Sequence, residues 1–254
     1  MDISYGICVS PEHNPQYLIK LLSSIYLNHL DSRDSFEIIL IGDDKLNNYL
    51  LEKTEIISFD ETQKPGWITK KKNIIAQVAK HDTLCILHDY YELGKEWLSG
   101  VNTYTIFDNP DWFILMNRVL NKEGTRGADW LVSPKYMEKI LTDETENILM
   151  SVAPHENHAK YVCGLPYNES TLSHIQYISG GYFLCRKEVL LNVPFDEKLA
   201  WGDAEDVEWS FRVLKQYQIE YNYYSTIHIQ KPKKWEVFEM PTSIVEKLKE
   251  CYRK

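Results

Sequence analysis

The chain has 254 residues, 44% of them hydrophobic, enough for one large core or two small ones. Its formal net charge of -9 lacks the basic excess that broad nucleic-acid binding needs to displace phosphate counterions, so no nucleic-acid partner is expected. No stretch approaches the roughly 18 apolar residues of a membrane span, and MDISYGICVS at the N-terminus has no basic region followed by an apolar run.

Residues 3 to 9 alternate, with Ile3, Tyr5, Ile7 and Val9 on one side, and predict a strand that stops at Ser10-Pro11. A helix from about Asn14 to His29 follows, with Leu18, Leu21, Leu22 and Ile25 as its apolar stripe. Phe36 to Ile41 is a continuous apolar run closed by Gly42-Asp43-Asp44, the pattern of a central strand. Strand, helix, strand opens an α/β sheet, and ligands of such sheets bind beyond the carboxyl ends of the strands, where Ser10, Pro11, Asp43 and Asp44 fall. Asp43 and Asp44 equally suit the capping of a turn.

Ile56 to Phe59 predicts a third strand, and Lys64-Pro65-Gly66-Trp67 a turn into a helix from about Thr69 to Lys80, with Ile75, Val78 and Ala79 facing inward. Lys70, Lys71 and Lys72 fall in its first turn, where the helix dipole disfavours cations. The run therefore either meets an anion such as a diphosphate or is a solvated charge run. Thr83 to Leu87 is the fourth strand and delivers His88-Asp89-Tyr90-Tyr91-Glu92 to the same edge. Trp112 to Met116 is strand-like, and Ser133 to Leu149 has helical spacing. Pro154 to Ser173 is polar, with Gly and Pro, and reads as a long loop of the kind that acts as a lid or recognition segment. His155 and His158 in that loop have no third ligand at a recognisable spacing.

The densest chemistry lies in Tyr177 to Gln216. This stretch begins as a short apolar strand that breaks at Gly180-Gly181, a turn spans Pro194 to Glu197, and Asp203, Glu205 and Asp206 crowd the mouth of an amphipathic helix. That helix is read from Val207, Phe211 and Leu214 at i, i+4 and i+7, with Glu208 and Arg212 as an i, i+4 pair. Acidic residues suit a helix N-terminus, but three like charges this close repel, which points to a ligand-facing cluster beside Trp201-Gly202. Glu220 to Ile229 predicts a further strand carrying His228, and a short basic helix from Pro241 would either dock on the body or touch an anionic surface such as a membrane. The five cysteines, Cys8, Cys85, Cys163, Cys185 and Cys251, have no CxxC pair, which suits buried thiols in a reducing, cytoplasmic setting.

Read in order, Ser179-Gly180-Gly181, Arg186, Phe195-Asp196-Glu197, Glu205-Asp206-Val207-Glu208 and Arg212 resemble the acceptor-side and catalytic segment of GT-A glycosyltransferases, family 2-like, with a galactosyltransferase-type Gly-Gly to Glu-Asp arrangement. The resemblance implies an α/β fold in a single GT-A type domain over 1–254, with a Rossmann-like mixed sheet flanked by helices. A nucleotide-sugar half would cover 1–106, an acceptor and catalytic half 107–240, and a terminal helix 241–254. It implies Asp206 as the catalytic base with Glu205 beside it. A nucleotide-sugar donor, UDP-linked, and a glycan or other hydroxyl acceptor would meet Ser10, Pro11, Asp43 or Asp44, Lys71 or Lys72, Asn73, Gly180, Gly181, Trp201 and Asp203. It further implies a divalent cation, Mn2+ or Mg2+, on Asp89 and His228. Here the sequence departs from the family, because the DxD-type motif is reduced to His88-Asp89-Tyr90, which puts the metal in doubt. Two rivals stand beside this reading. A catalytically silent nucleotide-sugar or glycan binder would not need Glu205-Asp206, and a nucleotidyltransferase would want a Gly-rich loop that SPEHNPQYL does not supply.

Overall fold

The computed structural model describes residues 1–49, 51–121, 131–132, 149–151, 175–176, 178–203, 205–231 and 237–239. The expected loop at Pro154 to Ser173, the terminal helix from Pro241 and the helical segment from Ser133 lie outside the described residues, save Leu149, which begins a strand.

The sheet opens as its apolar runs predict. Strand β1 (Ile3–Cys8) leads to α1 (Pro15–His29), capped by the Asn14 side chain on the Gln16 N–H, and then to β2 (Phe36–Gly42) and β3 (Thr54–Ser58). Helix α2 (Ile68–Val78), β4 (Thr83–His88), β5 (Tyr91–Leu93), α3 (Trp97–Thr103) and β6 (Ile114–Leu120) follow. Four short strands, β7 (Leu131–Val132), β8 (Leu149–Ser151), β9 (Ile175–Gln176) and β12 (Val237–Glu239), form two antiparallel pairs, β7 with β9 and β8 with β12. The remaining elements are β10 (Tyr182–Arg186), α4 (Lys187–Asn192), α5 (Glu205–Val213) and β11 (Ile219–Ile229).

Eight strands form one mixed sheet in the order β3-β2-β1-β4-β10-β6-β11-β5. The first four run parallel, β10 reverses against both β4 and β6, β11 lies parallel to β6, and β5 closes the far edge antiparallel to β11. Strands from the two sequence halves therefore interleave. Helices α1 and α3 pack on one face, around Leu18, Leu21, Ile25, Trp97 and Val101. Helices α2, α4 and α5 pack on the other, around Ile75, Val189, Leu190, Trp209 and Val213.

Several local expectations are corrected by this packing. Strand β1 is buried along its whole length rather than on one side, because a central parallel strand has helices on both faces. The third strand starts earlier, at Thr54, and the strand read at Trp112 runs from Ile114 to Leu120. Val78 is exposed, and the inward face of α2 is instead Ile68, Lys71, Lys72, Ile75 and Ala76. In α5 the fully buried aromatic is Trp209, while Phe211 and Leu214 are only half-buried. Glu208 and Arg212 do pair, through two short bonds of 2.7 and 2.9 Å. Cys8, Cys85 and Cys185 are free and buried.

One buried polar contact makes stability depend on pH. The Tyr5 hydroxyl hydrogen-bonds His29 Nε2 at 2.9 Å and the imidazole stacks on Phe36 at 4.2 Å, so burial pulls the His29 pKa from 6.5 to about 4. The folded state then binds fewer protons than the unfolded one. This contribution is complete above pH 6.5 and is lost as pH falls from there towards about 4. The urea midpoint is expected to drop more between pH 7 and pH 4.5 in the wild type than in His29→Gln, whose amide oxygen can still accept from Tyr5.

Candidate active site

The sheet's direction decides what meets at its edge. Because β10 is antiparallel to β4, its start lies beside the end of β4: Tyr182 pairs with Leu87, and His88 N–H donates to Gly181 O at 3.0 Å. The carboxyl ends of β1, β2, β4 and β11 and the Gly180-Gly181 turn thus share one edge, the place expected for Ser10, Asp43 and Asp89.

Asp89 is buried there, and its Oδ2 accepts the Ser10 N–H at 2.9 Å. Burial raises its pKa, opposed by the Ser10 N–H and by His13, Lys231 and Lys71. Pro11 is exposed on the loop that follows. Asp43 Oδ1 accepts the Lys45 N–H at 3.1 Å, so this carboxylate does cap a 3-10 turn (Asp44–Tyr49), and its side chain stays 27% exposed.

Of the basic run of α2, Lys71 and Lys72 are buried and only Lys70 is partly exposed. Helical spacing puts Lys71 and Lys72 on the Ile68 and Ile75 face. Lys71 Nζ donates to Val9 O at 2.7 Å and pairs with Glu61, and Lys70 Nζ lies 4.0 Å from the Trp67 ring centroid. Lys72 Nζ is fully enclosed, makes no hydrogen bond among the described residues, and has Glu205 Oε1 at 3.8 Å and the Phe195 ring at 4.6 Å. Asn73 clamps the turn before α5. Its amide nitrogen donates to Phe195 O and Glu197 Oε1, both at 3.0 Å, and its oxygen accepts the Phe195 N–H at 2.9 Å. Thr69 Oγ1 and Trp67 Nε1 hold the same turn through Leu199 O and Glu197 O.

That turn ends at Trp201, which is 67% exposed and whose N–H donates to Gly66 O at 2.8 Å. Asp203 folds back to accept the Ala200 N–H at 2.8 Å. At the start of α5, Asp206 Oδ2 accepts the Gly180 N–H at 3.0 Å and its Oδ1 the Val207 N–H at 2.9 Å. Ser210 Oγ donates to Asp206 O and accepts the Ile178 N–H, stitching α5 to the strand entry. Glu205 is buried, and burial with the neighbouring Asp206 charge pushes its pKa up to about 7 against the pull of Lys72. Gly180 is required by space: a Cβ there would lie 2.8 Å from Lys72 Nζ, 2.9 Å from Asp206 Cβ and 3.2 Å from Glu205 Oε1. At Gly181 a Cβ would meet the Tyr91 hydroxyl at 2.7 Å.

The residues expected to hold a cation are not brought together. His228 pairs with Glu92, and the ladder continues through Gln230 N–H to Tyr90 O, so Lys231 rather than His228 comes alongside Asp89. His88 Nδ1 is engaged with the Tyr90 hydroxyl at 3.2 Å. Among the described residues no three His, Cys, Asp or Glu side chains converge as a metal shell. Among the described residues Asp89 offers one buried carboxylate, with the Lys231 charge near enough to lower its pKa, and a divalent ion wants several oxygen ligands. Sequence reasoning missed Lys231 and Tyr90. The former needs the β5–β11 register, which no local pattern encodes; the latter lies close enough to Glu205 and Asp206 to feel their charge.

No family model matches the sequence, and no curated protein sequence does. Solved structures are similar. S. aureus TarS 1-349 in complex with UDP aligns with a TM-score of 0.54 and 15% identity over 90% of this chain and 61% of that one. GalNAc-T7 with UDP, GalNAc and Mn2+ aligns with a TM-score of 0.57 and 15% identity over 92% of this chain and 44% of that one. TarS 1-349 in complex with UDP-GlcNAc aligns with a TM-score of 0.53 and 16% identity over 92% and 60%. The chain therefore spans less than two thirds of each of these structures. The mixed eight-stranded sheet flanked by helices is the fold of GT-A glycosyltransferases. No helix among the described residues is long and apolar enough to cross a membrane.

Proposed function

We propose that this chain is a single-domain glycosyltransferase that moves a sugar from a nucleotide diphosphate sugar, UDP-linked, to an acceptor hydroxyl with inversion, in glycan synthesis. The observation that carries this reading is the Gly180-Gly181 turn, which sets Asp206 and Glu205 at the sheet edge that also holds Asp89 and Ser10. The UDP in the similar structures supports the choice of donor. In the reaction, the acceptor oxygen bonds to the anomeric carbon and its proton goes to Asp206. The bond from that carbon to the diphosphate oxygen breaks on the opposite face, and the nucleoside diphosphate leaves. Asp43 or Asp44 reads the base, exposed Trp201 offers an aromatic face to the acceptor sugar, and Lys231 at the Asp89 end supplies positive charge for the departing diphosphate. Lys71, Lys72 and Asn73 act as the walls of this site, since their polar groups are held inside the protein. The free buried thiols suit a cytoplasmic location.

The test is a thermal-shift titration with UDP, GDP, CDP and dTDP, each with and without manganese. A ligand that binds only the folded state at about 100 times its Kd stabilises by about 2.7 kcal/mol. A selective UDP shift is the expected result. Growth of that shift with manganese would assign a cation to Asp89 after all, and no shift with any nucleotide would overturn the transferase reading in favour of a glycan-binding module.

A further inference from the structure

Lys72 is the most conspicuous charge in the molecule. Its ammonium is fully enclosed, and among the described residues it has no hydrogen bond; Glu205 Oε1 lies 3.8 Å away and the Phe195 ring closes one side. An enclosed ammonium is costly, and a buried ion pair is often matched or bettered by apolar side chains of the same size, so packing alone does not account for a lysine here. What Lys72 reaches is telling. Its Nζ, Asp206 Cβ and Glu205 Oε1 crowd so closely against Gly180 that a Cβ there would lie 2.8, 2.9 and 3.2 Å from them. Gly180 N–H in turn fixes Asp206 Oδ2.

We propose that Lys72 is a positioning residue that acts through Glu205: its enclosed ammonium, 3.8 Å from Glu205 Oε1, offsets part of what burial and Asp206 impose, so that Glu205 retains a carboxylate form able to accept from a ligand hydroxyl. The inference concerns the carboxylates of the proposed transferase site and rests on that reading for its use. The groups that face Glu205 are Asp206 and Asp203 from its own segment, Lys72 from α2 and Tyr90 from the turn between β4 and β5. Burial and both aspartates oppose the charged form; Lys72 favours it, as does a hydrogen bond from the backbone of Glu205 itself, and Lys72 is the only side chain among these that does.

The experiment is a carbon-13 NMR titration of side-chain carboxyls in the full chain, with the Glu205 resonance assigned by its absence in Glu205→Gln. The wild-type midpoint is expected near pH 7, as burial dictates. Lys72→Met is expected to raise it by about one pH unit or more, a carboxylate-to-acid ratio about tenfold lower at a given pH, and Lys72→Arg to restore most of the difference. A lysine that only fills space would leave the midpoint in place, and that result would overturn the proposal. Should Lys72→Met not fold, the nitrogen-15 signal of the Lys72 ammonium in the wild type decides. It must shift with the Glu205 midpoint, and a signal indifferent to that titration overturns the proposal equally. No substrate enters either measurement, so UDP failing to bind would sink the transferase reading without touching this result.

Discussion

Asp206→Asn is expected to lower sugar transfer, measured as UDP release from UDP-sugars, by roughly 10²- to 10⁴-fold, the usual contribution of a placed general base. The UDP-induced thermal shift should survive, because Asp206 faces the acceptor in the proposed reaction. The substitution is not silent structurally. Both carboxylate oxygens accept backbone N–H groups, from Gly180 and Val207, and an asparagine can satisfy only one while turning its NH2 towards the other. A cost of about 1–2 kcal/mol in stability follows from that mismatch. Activity must therefore be compared well below the lowered unfolding temperature. Transfer at wild-type rates in the variant would remove Asp206 from the role of base, and loss of UDP binding with the fold intact would move it to the donor side.

Gly180→Ala is the second large effect. The added methyl would sit 2.8 Å from Lys72 Nζ and 2.9 Å from Asp206 Cβ, and neither neighbour has room to withdraw, since Lys72 is enclosed and Asp206 lies in the first turn of α5. Overpacking of this kind costs about 1–3 kcal/mol, about 2–12 °C in Tm for a chain of this size. It also displaces Asp206, and a shift of about 1 Å in a reacting group can cost about 10²-fold in rate. Gly202→Ala is the control. Its φ of +91° makes any side chain strained, yet nothing lies within 4 Å, so it should lose stability through the backbone alone and keep more activity than Gly180→Ala. Equal loss of turnover in the two variants would show that crowding at Gly180 is not the cause.

The opening of the sheet was legible because Phe36 to Ile41 and Thr83 to Leu87 are apolar runs that only central strands explain. The helix at Glu205 was legible from an acidic start and a repeating apolar spacing. Lys71 and Lys72 were harder. Three lysines in a row suggest a solvent or ligand face, but Ile68 and Ile75 stand one turn before and after on the same side of α2, and that spacing already places Lys71 and Lys72 inward. The relation of Asp89 to Lys231 had no local signature, because it depends on β5 crossing to the far edge of the sheet and pairing with β11. Periodicity reveals which face a residue takes; it does not reveal which strand becomes its neighbour.

The reversal of β10 between β4 and β6 has a consequence for how the protein is made. Tyr182 to Arg186 fills the middle of the sheet, against a strand that left the ribosome nearly a hundred residues earlier. Until it arrives, β4 has one edge paired to β1 and one edge bare, and β5 waits for a partner from still later in the chain. Contacts so distant in sequence form slowly, and bare strand edges are sticky. The nascent chain thus carries an unfinished sheet from the emergence of β4 until that of β10, and a fragment ending before Arg186 would expose the open edge of β4 to other chains.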